Sequence, residues 1–283
     1  LYEHTFLVNP IADYEETLVS DQSKAINFYY DSEIGRGYRI KSFFEHPIGA
    51  GANWALFVVF FYSMILSFKI KLSRIYLYIG IITTLISIVC LFYTNSRSPI
   101  LFLCISILSF LKLKDKKTYG IIIILLITIL ICLPFFSQYT ILFLSLFDSN
   151  AQEELGGSDL LMRLDQFAAA IELMSQSPIW GLGYKFNEVI SGNLVTRLWG
   201  LESIWLIALT CFGILGVYAY SLLAYYSLVK IPKKIRSREI FFLSLAYWVL
   251  ITVTTTPGML VYFYYTILII YIKLRANKII PVR

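Results

Sequence analysis

Charge is scarce in this chain, and histidine scarcer: of 283 residues, 15% are charged and 2 are histidine. The 4 cysteines, Cys90, Cys104, Cys132 and Cys211, lie inside apolar runs without a Cys-x-x-Cys pair or a Cys/His cluster. That pattern speaks against a metal centre or a disulfide framework and for small apolar packing residues. No phosphate-binding loop or dinucleotide fingerprint follows a strand, so nothing indicates energy drawn from ATP, and Gly49-Ala50-Gly51 reads as a helix-packing notch. Segments of about ten residues alternating in polarity, the mark of a membrane β-barrel, are missing as well.

What the chain has instead is apolar bulk. Hydrophobic residues make up 58% and aromatics 17%, and the mean hydropathy is +0.71, well above that of a soluble domain. The expectation is an all-α polytopic bundle of transmembrane helices. Runs suited to a hydrocarbon core fall at roughly 48–68, 75–93, 98–111, 118–136, 203–229, 239–256 and 259–272. The third and last are short and flanked by turns with Pro99 or Pro257-Gly258, as in tight helical hairpins. The organisation expected is one membrane domain over 1–283: an extracytoplasmic segment 1–47, four spans over 48–136, a large extracytoplasmic loop 137–202, three spans over 203–272 and a cytoplasmic tail 273–283.

Orientation follows from the basic residues, which are retained on the cytoplasmic side of short loops. Alternate connections, such as Lys112-Leu113-Lys114 and Lys230 to Arg238, hold 16 of the 24 basic residues and belong inside. The other segments carry 8 basic residues and 16 of the 18 acidic ones, so their arginines are not topology signals. The net charge of +6 is accounted for by inner loops meeting anionic lipid and does not point to nucleic acid. Seven spans with the C-terminus inside would put Leu1 outside; since the chain starts without Met or signal peptide, a fragment lacking N-terminal spans is expected.

The outer segments 1–47 and 137–202 are too long to be mere connectors. In the second, Ser158 can cap an amphipathic helix in which Leu160, Leu164, Phe167, Ile171 and Met174 recur at helical spacing, with Arg163 and Gln166 on the neighbouring face and Ser177-Pro178 as its stop. Such a helix would lie at the membrane surface over the bundle. Arg97 stands in the turn Thr94-Asn95-Ser96-Arg97-Ser98-Pro99, and Arg39 precedes the first span. An arginine drawn into a bilayer costs roughly 2.5 to 3.5 kcal/mol, so each snorkels or finds an anion. Glu202 opens the fifth span in Leu201-Glu202-Ser203-Ile204-Trp205, where it either caps the helix or serves chemistry.

In order and spacing, these pieces resemble the bacterial O-antigen polymerase and O-antigen ligase superfamily, membrane glycosyltransferases that use undecaprenyl-pyrophosphate-linked glycans. The pieces are Arg39, His46-Pro47, Asn53-Trp54-Ala55, Ser96-Arg97-Ser98, Arg163 with Phe167, Ala170, Pro178, Gly181 and Gly183, and Glu202-Ser203 with Gly213 and Gly216. Ligases in this superfamily resemble one another in a His, a small polar residue, nine residues, Gly, two residues and Gly. Here Ser203, Gly213 and Gly216 fit, while Glu202 holds the His position. The resemblance with this departure implies a polymerase of O-antigen, capsule or exopolysaccharide repeats. Ligase-type transfer of finished glycan is the alternative, and transport of a lipid-linked anionic glycan an alternative of another class.

In that reading Glu202 is the catalytic base, and Arg39, Arg97 and Arg163 hold the pyrophosphate through paired guanidinium donors. His46, Arg197 and Trp205 are further candidate substrate contacts. No Asp-x-Asp pair lies in an outer segment, so neither metal nor other cofactor is expected. A single base without a nucleophilic carboxylate fits displacement with inversion. Implied surroundings are the bacterial cytoplasmic membrane, a site facing the periplasm or cell exterior, and, as partners, membrane lipids, a chain-length regulator and a flippase.

Overall fold

The computed structural model describes residues 40, 47–66, 73–109, 160–186, 189, 195–198 and 203–254. The runs expected at 118–136 and 259–272, the cap Ser158, and the candidates Arg39, His46 and Glu202 lie outside the described residues. Among the described residues the secondary structure is entirely helical: α1 (Pro47–Leu66), α2 (Arg74–Tyr93), α3 (Arg97–Leu108), α4 (Leu160–Met174), a 3-10 turn (Thr196–Leu198), α5 (Ile204–Tyr225), α6 (Ile231–Ile235) and α7 (Arg238–Val253). A π-helical turn, Tyr226–Lys230, joins α5 to α6. Among the described residues two stretches are long and apolar enough to cross a bilayer, α2 and the run Ile204–Lys234; the fold is that of a helical membrane protein.

The chain divides into two compact units, one carrying α1, α2 and the start of α3 through Leu103, the other Cys104–Ser109 and everything described from Leu160 onward. In the first unit, Pro47 opens α1 with its φ already set for a helix. α1 packs along α2 because Gly80 leaves room for an aromatic ring: a Cβ on Gly80 would come within 2.0 Å of Phe61 Cε2 and Cζ. Nearer the α2–α3 turn, Gly51 faces Thr94 Oγ1 and Pro99, and a Cβ there would sit 2.9 Å from the hydroxyl. The notch read from Gly49-Ala50-Gly51 is therefore used at Gly51, while Gly49 has open space around it.

In the second unit, α5 and α7 are held together by two tryptophans that face each other, Trp205 and Trp248, with ring centroids 5.6 Å apart. Their N–H groups are both satisfied across the helix pair: Trp205 Nε1 donates to Thr252 Oγ1 (3.0 Å) and Trp248 Nε1 donates to Ser227 Oγ (2.6 Å). Ser227 lies in the π-helical turn, and its hydroxyl passes its own hydrogen on to the Leu223 carbonyl (2.8 Å). Arg236, in the left-handed conformation, ends α6, and Ser237 caps α7 by accepting from the Ile240 amide.

The clash at Gly80 makes a direct prediction. Gly80→Ala lowers the unfolding midpoint of the detergent-solubilised protein, with a cost of about 1 to 3 kcal/mol for overpacking. Combining it with Phe61→Ala gives a chain more stable than the sum of the two single changes, because the ring that collides is gone.

Candidate functional site

Arg97 is placed by a turn braced by local hydrogen bonds. Thr94 Oγ1 donates to the Leu91 carbonyl (2.7 Å), Ser96 Oγ to the Thr94 carbonyl (3.0 Å), and the Asn95 amide to the Phe92 carbonyl (3.0 Å). Asn95 takes φ 46°, a left-handed conformation that asparagine tolerates well. The Ile40 amide, donating to the Tyr93 carbonyl at 3.1 Å, ties the segment before α1 to the same turn. Arg97 is then the first residue of α3, half-buried and engaged by neighbours. A cation at a helix N-terminus is opposed by the helix dipole, and an anion held there would satisfy both the guanidinium and the end of the helix.

Arg163 and Arg197 are also described, and they stand on opposite edges of α4. With residues turning by roughly 100° each, Arg163 falls beside the buried face, while Asp165 and Glu172 share the far edge. Arg197, from the 3-10 turn, grips that far edge: Nη2 donates to Asp165 Oδ1 (2.9 Å), Nε to the same carboxylate (3.3 and 3.4 Å), and Nη1 to Glu172 Oε2 (2.8 Å). The hydrogen bond from Arg197 holds the Asp165 carboxyl below its ordinary value and raises Arg197 in turn. All three groups are exposed, so the clamp fixes geometry more than it adds stability. Arg197, a candidate substrate contact by sequence, has its donors turned to these carboxylates; Trp205, another, is engaged with Thr252 and Trp248. Arg163 is half-buried and engaged by neighbours.

The face α4 buries is not its most apolar one. Spacing pointed to Leu164, Phe167 and Ile171 as the apolar side of a helix covering the bundle, with Gln166 beside it. Gln166 is 1% exposed, and Ala169 and Ala170 are buried with it, while Leu164 and Phe167 are 57% and 51% exposed. Small residues explain the choice. Ala169 lets the helix come close enough to join Leu198, Ile207 and Cys211 in one apolar cluster, with Leu173 and Phe212 packed around it.

The feature that sequence reading missed lies one turn farther along α5. The helix is broken at Gly213, whose φ of 62° and ψ of −153° are not helical. In an intact helix the Ile214 amide would bond the Thr210 carbonyl, and the Leu215 amide the Cys211 carbonyl. Here the Pro178–Gly183 segment is spliced between them. Leu182 N donates to Thr210 O and Gly183 N to Cys211 O, both at 2.9 Å, while Ile214 N donates to Pro178 O (2.9 Å) and Leu215 N to Ile179 O (3.4 Å). Each group freed by the break finds a partner, as backbone at membrane depth requires. Two glycines make the contact possible: a Cβ on Gly181 would lie 2.5 Å from Cys211 C, Phe212 N and Gly213 N, and one on Gly213 would lie 2.6 Å from the Pro178 and Ile179 carbonyl oxygens. The signal was present as Gly181, Gly183, Gly213 and Gly216, but a span reads as continuous from its hydropathy.

Residues 82–221 match the model of the O-antigen ligase family. Over that stretch, just under half of its length, the chain is similar to that family. The stretch takes in both sides of the splice, together with Arg97, Arg163, Arg197, Glu202 and Trp205, and leaves out Arg39 and His46. It agrees with the O-antigen polymerase and ligase superfamily read from the motifs, whose members are membrane enzymes of the glycosyltransferase type. No curated protein and no solved structure matches the chain.

Two outcomes test this geometry. Gly181→Ala and Gly213→Ala each meet backbone at under 3 Å as well as a positive φ, so each abolishes activity or folding. Gly183→Ala, with φ 91° and nothing within 4 Å, costs only the backbone strain of about 1 to 3 kcal/mol. For the clamp, a depressed carboxyl contributes stability above its unfolded value and loses it as pH falls through the folded one. The difference in unfolding midpoint between the native chain and Arg197→Ala is therefore constant at neutral pH and closes as pH drops below the ordinary Asp165 value of 3.8.

Proposed function

We propose that this protein polymerises undecaprenyl-pyrophosphate-linked oligosaccharide repeats into O-antigen, capsule or exopolysaccharide on the outer side of the bacterial cytoplasmic membrane. The observation that carries the choice within the superfamily is Glu202, standing where the ligase pattern has histidine, in register with Ser203, Gly213 and Gly216. The splice gives that register a physical meaning. Gly213 is the break in α5 and Gly216 packs against the Ala208 carbonyl and Phe212, so the motif measures the distance from the helix start to its joint with the loop.

In this reading an acceptor hydroxyl attacks the anomeric carbon of the lipid-linked glycan as the pyrophosphate departs with its bonding electrons. Glu202 receives the hydroxyl proton. Arg39, Arg97 and Arg163 stabilise charge on the leaving pyrophosphate as preorganised cations, and no metal is needed. Single displacement inverts the anomeric centre. Support for the pairing of Arg163 with Glu202 comes from their framework: α4, which carries Arg163, and α5, which begins two residues after Glu202, share one core cluster and the splice. His46 and Trp205 are lesser candidates, and a chain-length regulator and a flippase are the partners proposed.

Glu202→Gln and Arg163→Ala are each expected to reduce polymer formation at least 100-fold, in line with loss of a general base or of charge stabilisation. The check is an assay of the purified enzyme with lipid-linked repeats, resolved by size. In the host, deletion of the gene leaves single lipid-linked repeats without a ladder; long lipid-linked polymer awaiting attachment would make the protein a ligase, and repeats held on the inner leaflet would make it a transporter.

A further inference from the structure

α4 has three edges, and among the described residues two of them have neighbours. Gln166, Ala169 and Ala170 face the core shared with α5, and Asp165 and Glu172, gripped by Arg197, form a charged edge about a third of a turn away. Leu164, Phe167 and Ile171 make up the third edge, roughly a third of a turn from each of the others, and all three are exposed. A helix that is polar on one edge, packed on another and apolar on the third is suited to a boundary where water, protein and hydrocarbon meet.

Its place on α5 says which boundary. The core beneath α4 is built on Ile207 and Cys211, the first two turns of a run long enough to cross a bilayer. The splice that follows α4 meets α5 at Thr210 to Leu215, roughly 9 to 16 Å along the helix from Ile204 at 1.5 Å per residue. At that point α5 turns an exposed apolar side outward through Ile214, Leu215 and Tyr218. Because Ile179 is bonded to Leu215, its exposed side chain and that of Trp180, 73% exposed, carry the same surface back toward α4.

We infer that the Leu164, Phe167 and Ile171 edge of α4, with Ile179 and Trp180, is seated in the acyl-chain region of the leaflet at the start of α5. The segment after the third edge is thus a half-inserted element, gripped by a span on one side and by lipid on another, with its carboxylates left in water. This inference rests on α5 as a membrane span and not on the reaction the enzyme catalyses, so the two fail separately.

The test uses the native chain in nanodiscs whose phosphatidylcholine carries a diazirine on its acyl chain. After photolysis, peptide mass spectrometry is expected to find adducts on Leu164, Phe167, Ile171 and Trp180 and several-fold fewer on Asp165 and Glu172. A nitroxide placed at Phe167, in a background where the cysteines are replaced and folding is verified, should be relaxed by oxygen and not by a water-soluble nickel chelate, with the reverse at Glu172. Nickel accessibility at Phe167 would put this edge in water and overturn the inference. Silence to both reagents, with no lipid adducts on the native chain, would mean that protein covers the edge, a second copy included, and would overturn it equally.

Discussion

Backbone polar groups cannot be left unpaired away from water, and the second unit is organised by how this chain meets that demand at one broken turn. Opening α5 at Gly213 frees two carbonyls and two amides. The loop after α4 supplies two amides and two carbonyls in return, so the break and the loop are each incomplete without the other. A small side chain on either glycine would separate the strands of backbone and expose four groups at once. The fixed conformations of Pro178 to Gly183, the close approach of α4 and the shared cluster around Ile207 and Cys211 all follow from that exchange.

The consequence for the site is that α4 is held from three directions rather than hanging as a loop over the bundle. The splice holds its C-terminal end, alanines hold its inner face, and Arg197 closes the polar edge by spanning Asp165 and Glu172. Arg163 is carried on the remaining quarter, away from Asp165 and Glu172.

Much of this was legible beforehand, and the parts that were not have physical causes. α2 and α7 fall where apolar runs were read, because helix formation in a low-dielectric solvent depends on local composition and every backbone group must bond within its own segment. The turn at Thr94 to Ser98 and the stop after Met174 were marked by Pro99 and by Ser177-Pro178 for similarly local reasons. By contrast, which side of α4 packs against the protein was not read from its spacing. In water the most hydrophobic face seeks the core; beside a membrane it has a second apolar medium to choose, and the small residues pack the protein instead. The partners of Arg197 were not legible for another reason, since they lie 25 and 32 positions away and no spacing rule links them.

The amino-acid sequence by itself determined that this is a helical membrane protein similar, over residues 82–221, to the O-antigen ligase family, since hydropathy and motif spacing are properties of contiguous residues. It also marked the arginines and the glycines. Only the tertiary structure decided what the glycines are for, which arginine is bound to acids, and which side of α4 meets the protein. Those are outcomes of two distant segments competing for the same backbone partners and the same space, and that competition exists only once the chain has folded.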